Sequence, residues 1–424
     1  MTYDILIIGT GISGLYCALN IDKSKKVLLI TKSKKEDSNS YLAQGGVSVL
    51  KDSKDLNLFI EDTLKAGHYK NNKESVKTLA LESRQAIENL ISLGVRFEKN
   101  ENGLIYTKEG AHSTNRIVYH KDITGKEITD TLLDRVSLSS NITLLEETKC
   151  VDLLTSNNSC IGAIIEKNNE TEKIYSEFTV LATGGIGGLF KNSTNQNSIT
   201  GDGLSLALKH NIILKDMNYI QIHPTALYSK DLNKRRFLIS ESLRGEGAIL
   251  INSNGERFIN ELLPRDIVSN AILKEMNNTK KDYVYLKADF LPEEFLKTRF
   301  PNIVKACFDE GYNILKEPIK VSPAQHYFMG GISVDLFGRT SMDNLFSCGE
   351  TACTGVHGQN RLASNSLLEA LVFSKRIANF INSSRGAFIY NNYNFKASTS
   401  IDKSKVIDLL KREADFLDDS IFKY

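Results

Sequence analysis

Gly9, Gly11 and Gly14 form a GxGxxG spacing directly after an apolar run, Asp4-Ile-Leu-Ile-Ile8. A strand buried on both faces reads as such a run. In this spacing the first glycine allows a tight turn. The second lets backbone approach a pyrophosphate, and the third lets helix and strand pack closely. The free N–H groups of the following helix, with Ser13 in its first turn, would face that anion. A second strand, Val27–Ile30, completes a βαβ unit and ends in Thr31-Lys32, where a ribose-binding Asp or Glu is usual. The Thr31 hydroxyl could serve the ribose instead. Three further segments select FAD over NAD. Ser38-Asn-Ser-Tyr-Leu-Ala-Gln-Gly-Gly46 is a small-residue loop able to run along an isoalloxazine ring, bringing Ser38, Ser40, Ala43, Gln44, Gly45 and Gly46 to it. Thr200-Gly-Asp-Gly203 can set Asp202 near the flavin chain, and Gly349-Glu350 can offer a carboxylate to the ribityl hydroxyls. The helix beginning at Ser364-Asn-Ser-Leu367 can aim its positive end, with Ser366 and Leu367, at the flavin pyrimidine.

The elements that must position these residues are legible from periodicity. Helices are predicted over about 56–67, over 72–93 with a stop at Gly94, over 266–277, over 365–380 and over 402–417. Short strands fill 141–181 and end in Phe178-Thr-Val-Leu-Ala-Thr-Gly-Gly185. From about 218 the texture changes to short strands around several His, Arg and Glu residues. After about 332 it returns to that of the first part. The expected fold class is α/β: a Rossmann-like FAD-binding domain, 1–217 and 332–385, interrupted by an α+β capping domain, 218–331. A short helical tail, 386–424, follows.

The 424 residues are 41% hydrophobic and 25% charged, an ordinary globular composition. A net charge of +2 gives no field that would mark a nucleic-acid or membrane partner. No run of about 18 apolar residues predicts a membrane span. The six cysteines, at 17, 150, 160, 307, 348 and 353, contain no CxxC pair. They read as reduced cytoplasmic thiols and not as a metal site.

Beyond the glycine loop, further motifs accumulate: Glu109-Gly-Ala-His-Ser113, Asn218-Tyr-Ile-Gln-Ile-His-Pro-Thr225, Glu241-Ser-Leu-Arg-Gly-Glu-Gly247, Glu261-Leu-Leu-Pro-Arg-Asp266, Pro323-Ala-Gln-His-Tyr327 and His357-Gly-Gln-Asn-Arg-Leu-Ala-Ser-Asn-Ser366. With Ala43-Gln-Gly-Gly46 they give a chain that resembles the succinate dehydrogenase and fumarate reductase flavoprotein superfamily over residues 1 to about 380. Within that superfamily it is most similar to the L-aspartate oxidases of NAD biosynthesis. The resemblance implies a mobile capping domain and a dicarboxylate substrate held by His223, His326 and Arg361, with a hydroxyl from Ser240 where relatives usually carry threonine. It implies proton transfer by Arg265, backed by a relay of Glu241 and Arg244. Read alone, Arg265 would be a surface residue at a helix N-terminus. Covalent members carry a flavin-linking His six residues before Gly45. Asn39 stands there, so dissociable FAD is expected.

Glu109 bears on the substrate. Aspartate carries an α-ammonium that succinate lacks, and a carboxylate beside it would favour aspartate. Without the resemblance, Glu109 reads as a solvated loop residue. The resemblance implies oxidation of L-aspartate to iminoaspartate, reoxidation of the flavin by dioxygen or fumarate, and handover of product to quinolinate synthase. A soluble fumarate reductase or succinate dehydrogenase flavoprotein is the alternative, and a non-catalytic flavin-binding protein a more distant one. Relatives commonly continue into a longer C-terminal helical bundle, where this sequence carries about one helix.

Overall fold

The computed structural model describes all residues except 232–233, 385–400, 415–416, 418–420 and 424. The chain begins β1 (Thr2–Ile8), α1 (Ile12–Asn20), β2 (Val27–Ile30). Ile5–Ile8 of β1 are buried, and β1 lies between two parallel neighbours. One is β2. The other is β6 (Glu170–Leu181), reached through β3 (Ile142–Leu145), β4 (Lys149–Ser156) and β5 (Ser159–Lys167). The sheet order is β3-β2-β1-β6-β5-β4. The twelve-residue β6 divides its outer edge. Its first half pairs antiparallel with β5, and its last three residues pair parallel with β11 (Leu345–Ser347), which arrives from much later in the chain.

Period-two alternation splits β1 between two cores. Ile5 and Ile7 face α1, α3 (Lys73–Leu93), α4 (Thr124–Ser137) and α10 (Asn365–Ser383). Leu6 and Ile8 face the other side, where α5 (Asp202–Lys209) and α11 (Ser404–Glu413) pack. α3 is bounded as its sequence dictates: Asn72 accepts from Glu74 N and Ser75 N, and Gly94 closes the helix at φ 108°. α2 (Asp55–Ala66) packs against α3. α4 lies in the stretch 95–140, where no helix was predicted, and buries Ile128, Leu132, Leu133 and Val136. The predicted helix at 402–417 runs from Ser404 to Glu413. The tail residues 385–400 lie outside the described ones.

The segment between β6 and β11 carries a core of its own. There β7 (Ile220–Leu227), β10 (Ile319–Phe328), β9 (Val284–Lys287) and β8 (Ile249–Ile251) form a four-stranded antiparallel sheet in that order. It is covered by α6 (Glu241–Gly245), α7 (Arg265–Thr279), α8 (Glu293–Arg299) and α9 (Pro301–Asp309). This unit docks on the sheet domain through polar contacts. The Asp122 carboxylate accepts from Asn302 N and Ile303 N at the start of α9, at 2.9 and 3.0 Å. His68 Nε2 lies 3.0 Å from Asp266 Oδ2. Among the described residues, no helix is long and apolar enough to cross a membrane.

Candidate active site

The glycine turn opens one cleft. Gly9 has φ 119°, and a Cβ there would lie 2.1 Å from Ala182 O; one on Gly14 would lie 1.9 Å from Gly9 O. Both positions therefore demand glycine. Gly11 differs, since a Cβ would meet nothing nearer than Ser40 Oγ at 3.3 Å. Its open side faces a cleft of about 860 Å³ lined by Gly9, Gly11, Ser13, Thr31, Lys32, Ser38, Ser40, Asp202 and Glu350. Gly11, the residue before α1, has no side chain with which to cap it, and Ile12 N donates to Ser40 Oγ at 3.1 Å. A glycine turn, a helix N-terminus and adjoining hydroxyls fit the pyrophosphate and ribityl chain of FAD. Lys32, at the position where a carboxylate is usual, donates to Asp202 Oδ2 at 2.7 Å. The cation is thus matched across the cleft, and burial lowers its pKa.

Glu350 joins this cleft to a second of about 960 Å³. Its carboxyl accepts from Asn39 Nδ2 at 3.2 Å and Phe328 N at 3.1 Å. Burial outweighs both bonds and pushes its pKa up to about 7. The second cleft is walled by Ala43, Gln44, Gly45 and Gly46 and by Ser364, Ser366 and Leu367 at the start of α10. Gln44 Oε1 is buried there with no hydrogen-bond partner. Space, orphaned polar atoms and a helix N-terminus fit an isoalloxazine ring.

The far wall of the same cleft comes from the β7–β10 unit, which contributes His223, Ser240, Glu241, Arg265 and His326, while Glu109 and Arg361 reach the cleft from the sheet domain. Of the predicted substrate residues only Arg244 does not line it. His223 and His326 lie on the paired strands β7 and β10, with ring centroids 5.0 Å apart. The strand register shifts on either side of Ile222–His223, and His223 is fully buried. Burial first, then the surrounding guanidiniums, holds both imidazoles well below their ordinary pKa. They are neutral at neutral pH. His223 Nδ1 accepts from Thr225 N at 3.2 Å, so its proton sits on Nε2. That nitrogen is buried without a partner, a donor waiting for an acceptor. Thr194 Oγ1 lies 2.7 Å from His326 Nδ1.

Arg265 is 7% exposed, not the surface residue its helix-start position suggests. It follows Pro264 at the start of α7, and Ser269 of that helix donates to Ile222 O, tying α7 to β7. Its Nε donates to Glu241 Oε2 at 2.6 Å and its NH1 to Gln221 Oε1 at 2.9 Å. Arg244 NH2 lies 3.6 Å from the same Glu241 oxygen, and its NH1 donates to Glu261 O. Burial alone would raise the Glu241 carboxyl, but Arg265 and Arg244 overcome it and hold it low. The result is a continuous buried chain, Arg265–Glu241–Arg244. Arg361 stacks over Tyr327 at 4.6 Å and donates to Ser366 Oγ at 3.2 Å, leaving Nε unpartnered. Burial beside Arg265 lowers its pKa to about 10, so it keeps its charge at neutral pH.

Glu109 is 4% exposed. Its loop is anchored from outside. His112 Nε2 lies 3.0 Å from Ala363 O, and Ser113 donates to Asp62. The buried Arg116 pairs with Asp55 at 2.8 Å and Asp62 at 2.5 Å. The Glu109 carboxylate itself accepts from Ser242 Oγ on Oε1 and from Ser364 Oγ on Oε2, each at 2.6 Å. Ser240 caps α6 and donates to Ser242 Oγ at 3.1 Å, so it orients Glu109 through Ser242. Among the described residues, no cation pairs with Glu109.

Sequence reasoning assigned no role to Gln221, Tyr327, Ser242, Ser364 or Arg235. Gln221 stands two residues before His223, a strand spacing that could have found it. Arg235 lines the cleft and donates to Thr194 O at 3.3 Å, and no local pattern marks it.

A family model described as an FAD binding domain matches residues 4–367. L-aspartate oxidase of Clostridium perfringens is 56% identical over 90% of this chain and 87% of its own length. That of Clostridium acetobutylicum is 53% identical, covering 95% and 93%. Among solved structures, an E. coli quinol fumarate reductase superposes with a TM-score of 0.85 at 28% identity, covering 97% of this chain and 74% of that one. Mycobacterium smegmatis Sdh1 gives 0.78 at 30%, covering 97% and 72%. With its glycine turn, twin clefts and buried guanidinium chain, this protein belongs to the FAD-binding-domain family and, within the succinate dehydrogenase and fumarate reductase flavoproteins, to the L-aspartate oxidases.

Proposed function

We propose that the protein oxidises L-aspartate to iminoaspartate, with dioxygen or fumarate as the final oxidant. The observation that carries this reading is Glu109. A carboxylate buried among neutral hydroxyls is costly unless a cation completes it. The α-ammonium of an amino dicarboxylate is such a cation, and succinate and fumarate have none. Bound FAD supplies the two-electron acceptor for the hydride leaving the α-carbon. The residues do the rest. Arg361 presents its fork to one carboxylate. The neutral His223 donates from Nε2, and His326 adds a second imidazole beside it. As the hydride leaves the α-carbon, the substrate nitrogen must lose a proton. Arg265 takes it up while passing its own Nε proton to the Glu241 carboxylate 2.6 Å away, so the guanidinium is not left neutral, and Arg244 beside Glu241 completes the relay. The walls of both domains exclude water from these groups and strengthen every polar contact among them. Iminoaspartate hydrolyses readily, which favours direct handover to quinolinate synthase.

Mixing the holoenzyme with L-aspartate under anaerobic conditions should bleach the visible flavin band within a turnover time, while succinate should bleach it far more slowly. Equal bleaching by both would favour a fumarate reductase or succinate dehydrogenase activity. No bleaching by either would leave a flavin-binding protein without this chemistry.

Dissociable FAD is part of the same reading. Asn39 spends its side chain on Glu350 and on Gln196 N, which donates to its Oδ1 at 2.9 Å. An amide there offers no nucleophile to the flavin. Acid denaturation should therefore release all yellow colour into the supernatant. Colour that stays with the precipitated chain would contradict it.

A further inference from the structure

One of the two serines that hold Glu109 sits in a conformation serine rarely adopts. Ser364 has φ 63° and ψ 3°, in the left-handed region that favours glycine. It is the residue before α10, yet its side chain does not cap that helix. Its backbone role is modest, since its carbonyl accepts from Ser48 N at 3.0 Å, a bond glycine would make equally well. The hydroxyl is what glycine could not supply. It donates to Glu109 Oε2 at 2.6 Å and accepts from Gly46 N at 3.2 Å. Gly45 leaves room for this arrangement, because a Cβ there would lie 2.8 Å from Glu109 Oε1 and 3.5 Å from Ser364 Oγ. Strained residues persist where their surroundings over-determine them, often at functional sites.

The surroundings explain what the hydroxyl is needed for. Glu109 shares a cavity with Arg265 and Arg361, and its charge acts on both Arg361 and Arg244. A carboxylate free to rotate in that field would pair with a guanidinium. Such a pair would occupy the cation meant for a substrate carboxylate and cancel the anion meant for an ammonium. Ser242 and Ser364 grip one oxygen each and give the carboxylate neutral partners instead.

We propose that Ser364 is a positioning residue for substrate selection: its hydroxyl holds Glu109 clear of the guanidiniums, with a lone pair open to the ammonium of an amino dicarboxylate. This rests on the reading of Glu109 given above. Ser364→Gly removes the hydroxyl and relieves the backbone, whereas Ser364→Ala removes the hydroxyl and keeps the strain. The measurements are kcat/KM for aspartate oxidation, kcat/KM for fumarate reduction, and Tm, all on holoenzyme. Loss of the Gly46 contact weighs on both reactions, so the ratio of the two isolates Glu109. Both variants should lower the aspartate-to-fumarate ratio about tenfold, the scale of one charge-assisted hydrogen bond. The glycine variant should melt at or above the alanine variant. Stability and selectivity would then move independently, which a merely structural serine cannot produce. The proposal falls if Ser364→Gly keeps the wild-type ratio while Glu109→Gln lowers it. It also falls if the two activities decline together in step with Tm. Should Glu109→Gln leave the ratio unchanged as well, the reading of Glu109 itself has failed.

Discussion

Replacing Arg265 by lysine should lower kcat a hundredfold or more while dicarboxylates still bind. The guanidinium makes two divergent bonds, to Glu241 at 2.6 Å and to Gln221 at 2.9 Å, which fix its plane relative to the cavity. Lysine keeps the charge but concentrates it on one flexible nitrogen, which cannot reproduce that fixed fork. Binding survives because Arg361 and the two imidazoles still receive the carboxylates. Proton transfer does not, because an acid–base group must hold its proton within hydrogen-bond reach of the reacting atom, and losing one costs about 10²- to 10⁴-fold. The buried Glu241 keeps Arg244 at 3.6 Å, so the variant should fold. Steady-state kcat and ligand-induced changes in the flavin spectrum would check the two halves separately. A kcat near that of the wild type would remove Arg265 from proton transfer.

Glu109→Gln should split the two substrate classes. The amide has the shape of the carboxylate, and the hydroxyls of Ser242 and Ser364 can each donate or accept, so the packing is kept. What disappears is the charge. Aspartate would lose a charge-assisted hydrogen bond worth roughly 1.5–3 kcal/mol, or about ten- to a hundredfold in kcat/KM. Fumarate has no ammonium, and its own carboxylates would no longer share the cavity with the Glu109 anion, so its reduction should hold steady or improve. The opposite signs matter, because misfolding or loss of FAD depresses both reactions together. Equal losses would take Glu109 out of the substrate site, and an unchanged aspartate rate would favour the fumarate reductase reading.

Some of this protein is written in short stretches of its sequence. The apolar run, the glycine turn and the strand after α1 follow from contacts a few residues apart. Gly9 and Gly14 are required by the backbone atoms that crowd them. The ends of α3 follow from Asn72 and Gly94 in the same way. Such features are local, so periodicity and turn chemistry reveal them. α4 was missed because its apolar face, set by Ile128, Leu132 and Val136, is interrupted by threonines and charges.

The chemistry of the cavity is of another kind. Nothing near Arg265 in sequence announces that it is buried, because its partner Gln221 lies 44 residues away and Glu241 24. Lys32 breaks the usual ribose pattern until Asp202, 170 residues on, supplies its counter-charge. Glu109 could be read from its own loop as a solvated carboxylate. Two serines, 133 and 255 residues distant, make it a buried anion with neutral partners. Sequence alone determined which side chains are available. Burial and the charges gathered around each group decide its protonation and partners, and those arise only when distant segments close on one another.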